Sequence, residues 1–201
     1  MKFKPDSTFH QVTTTLIHFI FLNIVYLLLC LPVITIGWAT SALYEVCFNY
    51  ADGERGELIP DYFRALKSNW KPATVVFFVL LLPLVILIFS ISFWFSLKTL
   101  FGGIVGVVAL ILGSYFLIVL IYSLALVGRY DTSIKQTIKN AMLLPLVEPL
   151  RSMMLLLILV ITSALWLFVP FFRILFLFFG IAFVIYCSCF LLLKIFTRYQ
   201  A

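Results

Sequence analysis

The chain has 201 residues, of which 64% are hydrophobic and 11% charged, and its mean hydropathy is +1.19. A soluble domain carries about 25% charged residues. Side chains able to cover a water-facing surface are therefore too few, which sets aside a soluble enzyme, a disordered chain and a disulfide scaffold. Fourteen Lys and Arg against eight Asp and Glu give a net charge of +6. In a chain this apolar the basic residues read as topology markers and contacts for anionic lipid head groups, with no nucleic acid implied.

The first apolar region runs from Val12 to Tyr50. A single straight helix there would be roughly 58 Å long, about twice the hydrocarbon core. Pro32 and Gly37 predict a break around Leu31–Gly37, because proline removes a helix hydrogen bond and clashes with the preceding turn. The region becomes either two spans in a tight hairpin, at about 12–31 and 37–51, or one span plus an interfacial helix. The Thr15–Ile36 stretch exceeds the usual 7–15-residue apolar core of a signal peptide, so it reads as an uncleaved membrane helix. Further spans are expected at about 73–97, 102–127, 153–169 and 174–193, with a kink at Pro83.

Charge placement chooses between the two outcomes. With six spans, Lys2, Lys4, Arg55, Arg64, Lys67, Lys71, Arg129, Lys135, Lys139, Arg151, Lys194 and Arg198 share one side, leaving only Lys98 and Arg173 opposite. Five spans divide the same residues less sharply, and cytoplasmic loops carry the excess of Lys and Arg. The expected architecture is all-α: one integral membrane domain over 1–201, with six transmembrane helices and both termini inside. The 37–51 span is short, and its turn is apolar enough to be re-entrant.

Two cytoplasmic segments read as amphipathic helices. In 60–70, Tyr62, Phe63, Leu66 and Trp70 are assigned to one face. In 131–142, Ile134, Ile138, Ala141 and Met142 oppose Lys135, Gln136 and Lys139, with Asp131, Thr132 or Ser133 as the N-cap. Arg64, Lys67, Trp70, Lys71, Lys135 and Lys139 form a candidate face for lipid or for a protein partner.

Only His18 and Glu45 are ionisable deep in the expected spans. A charge at mid-membrane costs about 2.5–3.5 kcal/mol on insertion scales, so such residues mark function or need a partner. Ser41, Glu45 and Asn49 recur every four residues as a polar stripe, and Asn23 and Tyr26 share a face of the preceding helix. A hairpin would bring the stripes together, either as a substrate or proton site or as a hydrogen-bonded lock. Gly102, Gly106, Ala109 and Gly113 form a small-residue seam with a GxxxG pattern, for internal packing or a dimer face. Cys30, Cys47, Cys187 and Cys189 read as buried structural thiols. No P-loop, HExxH, GxSxG or intramembrane aspartate pair occurs. No catalytic residue, metal site or cofactor is expected.

The run Leu22-Asn23-Ile24-Val25-Tyr26-Leu27-Leu28-Leu29-Cys30-Leu31-Pro32-Val33-Ile34-Thr35-Ile36-Gly37, followed by Ala39 to Tyr44, resembles the N-terminal signature of the YesL family, a bacterial membrane family classed as a domain of unknown function. Gly53-Glu54 and Asp61 to Lys71 are similar to its cytoplasmic helix, and Asp131 to Ala141 to a weaker later motif. Pro60 and Pro72 depart from the pattern and put the ends of that helix in question. The resemblance implies the plasma membrane of a Gram-positive bacterium and genes placed beside carbohydrate ABC importers and glycoside hydrolases. It supplies no catalytic residue. The expected role is a non-enzymatic accessory of carbohydrate uptake that assists a sugar ABC importer by binding its permease subunits. The alternatives are a small transporter or channel with a polar site around Glu45, and an accessory of envelope glycopolymer assembly.

Overall fold

The computed structural model describes residues 8–53 and 57–199. Lys2, Lys4 and Arg55, which enter the charge count, lie outside the described residues. In chain order the helices are α1 (Thr8–Leu29), a 3-10 turn (Val33–Thr35), α2 (Ile36–Ala51), α3 (Leu58–Ser96), α4 (Leu100–Arg129), α5 (Ile134–Val147), α6 (Pro149–Phe168), α7 (Pro170–Leu175) and α8 (Ile181–Tyr199). A π-helical turn over Phe176–Gly180 joins α7 to α8, giving one continuous 30-residue helix. Among the described residues all regular structure is helical.

Four helices are long and apolar enough to cross a membrane: Leu58–Ser96, Leu100–Arg129, Pro149–Phe168 and Pro170–Tyr199. They contain the four later spans expected from the sequence. The first two expected spans correspond to α1, whose apolar part is Thr14–Leu29, and to the 16-residue α2.

The chain does double back at Pro32. Near the turn the Tyr26 hydroxyl meets Thr40 Oγ1 at 3.0 Å, and at the open end Thr15 Oγ1 meets the Tyr50 hydroxyl at 3.2 Å. These pairs make α1 and α2 an antiparallel hairpin. Thr35 Oγ1 donates to the Leu29 carbonyl and, at 2.8 Å, to the Pro32 carbonyl. The turn thereby covers backbone oxygens that a hydrocarbon environment would leave unpaired.

The structure corrects the reading of 60–70 and 73–97 as separate helices, since α3 runs unbroken for 39 residues, about 58 Å. Pro72 and Pro83 both lie inside it. Each proline removes one hydrogen bond, but neighbouring helices hold the rest of the turn. Gly37 of α2 sits against Phe77 and Ala73, where a Cβ would come within 2.3 Å of Phe77 Cβ. Trp38 Nε1 donates to the Leu66 carbonyl, and the Tyr62 hydroxyl donates to the Ala39 carbonyl at 3.3 Å.

The assignment of Tyr62, Phe63, Leu66 and Trp70 to one face is also corrected. Tyr62 and Leu66 are buried with Leu58, Ala65 and Asn69, whereas Phe63 and Trp70 are exposed. Leu58, Tyr62, Ala65 and Asn69 follow helical spacing, and α2 covers that face. The second amphipathic segment begins at Ser133, whose hydroxyl accepts from the Gln136 amide, and continues beyond the expected end at 142 to Val147.

Packing is concentrated at one end of the bundle. Arg129 of α4 lies 2.6 Å from Asp52 after α2, and the Phe196 ring packs 5.9 Å from Phe48 and 5.8 Å from Tyr130. The C-terminal ends of α2, α4 and α8 therefore meet there. Lys98 and Arg173 stand at the start of α4 and α7, hence at the opposite end. Toward that end large apolar side chains such as Leu82, Phe89, Phe101, Ile111, Leu157 and Phe168 are exposed. Such continuous apolar exposure suits a hydrocarbon environment and not water.

Candidate functional site

The polar residues singled out by the sequence fall into separate partnerships. Asn23 is fully buried and turns away from α2. Its Nδ2 donates to the carbonyls of Phe176 (3.1 Å) and Leu177 (2.9 Å), and its Oδ1 accepts from the Ala182 amide at 2.9 Å. A π-helical turn shifts the backbone register and frees groups that a side chain must satisfy. Asn23 does this for the turn between α7 and α8. Tyr26 does face α2, and Thr40 Oγ1, its partner, also donates to the Ile36 carbonyl at 2.6 Å.

Glu45 meets neither Asn23 nor Tyr26. Its Oε2 accepts from Asn69 Nδ2 of α3 at 2.7 Å. One turn earlier, Ser41 is fully buried, and its hydroxyl has no hydrogen-bond partner; the Ser123 hydroxyl of α4 is in the same state. Gly128 permits this close contact of α2 and α4, since a Cβ there would lie 2.5 Å from the Ser41 carbonyl oxygen. His18 and Asn49 are half-buried. Of the expected cluster, Glu45 is thus held in an α2–α3 contact, Tyr26 in an α1–α2 contact and Asn23 against the turn before α8, while Ser41 lies against α4.

The small-residue seam lies inside the α3–α4 pair. A Cβ on Gly102 would meet the Trp94 carbonyl at 2.8 Å, one on Gly106 the Phe95 ring at 3.1 Å, and one on Gly113 would be 3.5 Å from Ile91. Ala109 is buried on the same side. Thr99 caps α4 by accepting from the Gly102 amide at 3.0 Å. At the same end Arg173 donates to the carbonyls of Trp166 and Leu167, covering the last oxygens of α6.

Two features of the basic end were not singled out in the sequence. Glu148, between α5 and α6, is buried and accepts from Arg198 Nη1 at 2.9 Å and from the Tyr199 hydroxyl at 3.0 Å, while Arg151 approaches to 3.4 Å. The spacing of Glu148 and Arg151 was a local signal; Arg198 and Tyr199 come from the other end of the chain. The second feature is a cavity of about 450 Å3 between α4, α5 and α8. Tyr130 lines it, and burial raises the phenol pKa above its ordinary value, opposed by the charge of Arg129. A smaller chamber of about 230 Å3, deeper in the bundle, includes Thr40, Tyr44, Thr162 and Ser188 in an otherwise apolar lining.

On the outer surface of the same end, Phe63, Lys67, Trp70 and Lys71 fall at helical spacing and are all exposed. Lys71 Nζ lies 5.2 Å from the Trp70 ring centroid, and Arg64 pairs with Asp61 at 3.0 Å. Lys135 and Lys139 are exposed on α5. Cys47 and Cys189 are buried, Cys30 and Cys187 half-buried, and all four are free thiols. Among the described residues no group of three or more His, Cys, Asp or Glu is arranged to hold a metal ion.

Helical architecture, apolar exposure and four spanning-length helices make this a multi-pass membrane protein in class. Residues 19–91 match the family described as protein of unknown function, DUF624, which contains YesL-like proteins. The match covers the second half of α1, all of α2 and most of α3, where both quoted signature segments lie. No curated protein and no solved structure matches the chain.

Proposed function

We propose that the chain is a six-span bacterial plasma-membrane protein, with both termini inside, that acts as a non-enzymatic accessory of carbohydrate uptake by docking the permease subunits of a sugar ABC importer. The exposed stripe of Phe63, Lys67, Trp70 and Lys71 at the basic end carries this reading. Two large aromatic side chains flanked by ammonium groups offer both apolar contact and charge to a partner at the membrane surface. The intramembrane candidates support it from the other direction, because Asn23, Tyr26 and Glu45 are hydrogen-bonded within the bundle. The antiparallel α1–α2 hairpin supports six crossings, with α2 as the shortest at about 24 Å.

Affinity purification from detergent-solubilised cells should recover importer permease subunits with the unmodified protein and markedly less with a Lys67→Glu, Trp70→Ala variant. Sugar uptake should fall in a deletion strain. Recovery of no importer subunit together with normal uptake rejects the proposal.

A small transporter is a second reading, favoured by the buried, unpaired Ser41 hydroxyl one helical turn from Glu45. Purified protein in liposomes should then move a solute or protons, and Glu45→Gln should abolish the flux.

A further inference from the structure

The cavity between α4, α5 and α8 has the chemistry of a lipid site. Its walls include Leu126, Leu144, Val147 and Phe196, and Tyr130 and Tyr199 bring phenols to its lining. The apolar wall does not stop at the cavity. Leu143 and Val147 line it and are also 48% and 53% exposed on α5, beside the exposed Leu146. A continuous apolar surface along α5 therefore leads a hydrocarbon chain from the bilayer into the cavity.

Charge defines what stands at the mouth. The Tyr199 hydroxyl binds the same Glu148 oxygen as Arg198. One carboxylate thus faces two guanidinium groups, Arg151 and Arg198, and leaves one positive charge without an internal counterpart. The Arg198 side chain is 64% exposed. Lys194 stands one turn earlier on α8, where its carbonyl accepts from Arg151, and Lys139 precedes the cavity-lining Asn140; both lysines are exposed.

We propose that this cavity binds one anionic phospholipid, with an acyl chain between Leu126, Leu144 and Phe196 and the phosphate at Arg198 and Arg151. Arginine forks suit phosphate oxygens, and an acyl chain fills an apolar void that would otherwise remain uncovered. The proposal is independent of the importer partner, because the Phe63–Lys71 stripe lies on another helix.

Native mass spectrometry after exchange into mixed micelles of dioleoylphosphatidylglycerol and dioleoylphosphatidylcholine tests it. The unmodified protein should retain one phosphatidylglycerol in preference to phosphatidylcholine. Arg198→Gln should lower that preference roughly fivefold, the effect of one basic residue near an anionic head group. Leu144→Trp, which fills the cavity, should lower retention of both lipids. Lys67→Gln should leave retention unchanged, and millimolar inorganic phosphate should not displace the lipid. A phosphatidylglycerol with a diazirine in its acyl chain provides a test on the unmodified protein alone. It should label α5 and the end of α8. Equal retention of the two lipids, displacement by phosphate, or labelling spread evenly over the apolar helices overturns the proposal, whether or not the variants fold.

Discussion

Asn23 and Gly128 act through contacts that local sequence does not reveal. Asn23 satisfies two carbonyls and one amide around the π-helical turn. Leaving buried polar groups unpaired costs about 1–3 kcal/mol each, and relaxation of the turn toward α-helix would recover part of that. Asn23→Leu should therefore lower the thermal midpoint in detergent by roughly 5–10 °C. Asn23→Asp should fall too, because a carboxylate cannot donate to Phe176 and Leu177. A midpoint unchanged in both variants would remove the assigned role. The glycines offer a sharper contrast. Gly103 has no atom within 4 Å of an added Cβ, so Gly103→Ala should be neutral or stabilising, alanine being the better helix former by about 1 kcal/mol. At Gly128 the added Cβ meets backbone, and overpacking of this kind costs about 1–3 kcal/mol. Gly128→Ala should accordingly lower the midpoint while Gly103→Ala does not.

At the scale of helices, the sequence located the break at Pro32 but not the continuity at Pro72. The two prolines differ in what surrounds them. Pro32 is followed by a 3-10 turn whose carbonyls Thr35 covers, so the chain reverses. Pro72 lies where α2 packs closely on α3 through Gly37, Trp38 and Glu45, and these contacts hold the helix through the proline. The hairpin itself is testable. In a background without native cysteines, Thr15→Cys with Tyr50→Cys should be joined by a short bismaleimide, and the linked peptides should be found by mass spectrometry. Thr15→Cys with Ile34→Cys should not be joined, since Thr15 lies at the open end of the hairpin and Ile34 in the turn at its other end. Linkage of the second pair alone would contradict the antiparallel arrangement.

For the whole molecule the decisive property is sidedness. Ion pairs and ring contacts gather the ends of α2, α4 and α8 together with Glu148, Arg151 and Arg198. Lys98 and Arg173 stand at the other end. Single cysteines at Ile34 and Lys98 should react with an impermeant maleimide in intact cells, whereas those at Arg64 and Lys135 should react only after permeabilisation. Labelling of Arg64 and Lys135 from opposite sides would break the six-span arrangement. The outer halves of α3 and α4 pack on each other through the small-residue seam, but α6 stands largely apart, with only 11% of its most apolar stretch buried. Lipid, in place of a wide protein core, is therefore expected to surround that half.

Composition and the length of each apolar run determined that the chain is helical and membrane-embedded, because hydrocarbon admits only backbones whose hydrogen bonds close within the segment. The positions of Pro32, of the later spans and of the small-residue seam were legible for the same local reason. Tertiary structure alone decided the polar partners. Asn23 turns to a helix some 150 residues away, Glu45 takes Asn69 instead of its hairpin neighbours, and Glu148 gathers an arginine and a tyrosine from the end of α8. A side chain's spacing along a helix sets its face, but which groups meet that face depends on how distant helices pack, and no local pattern encodes it.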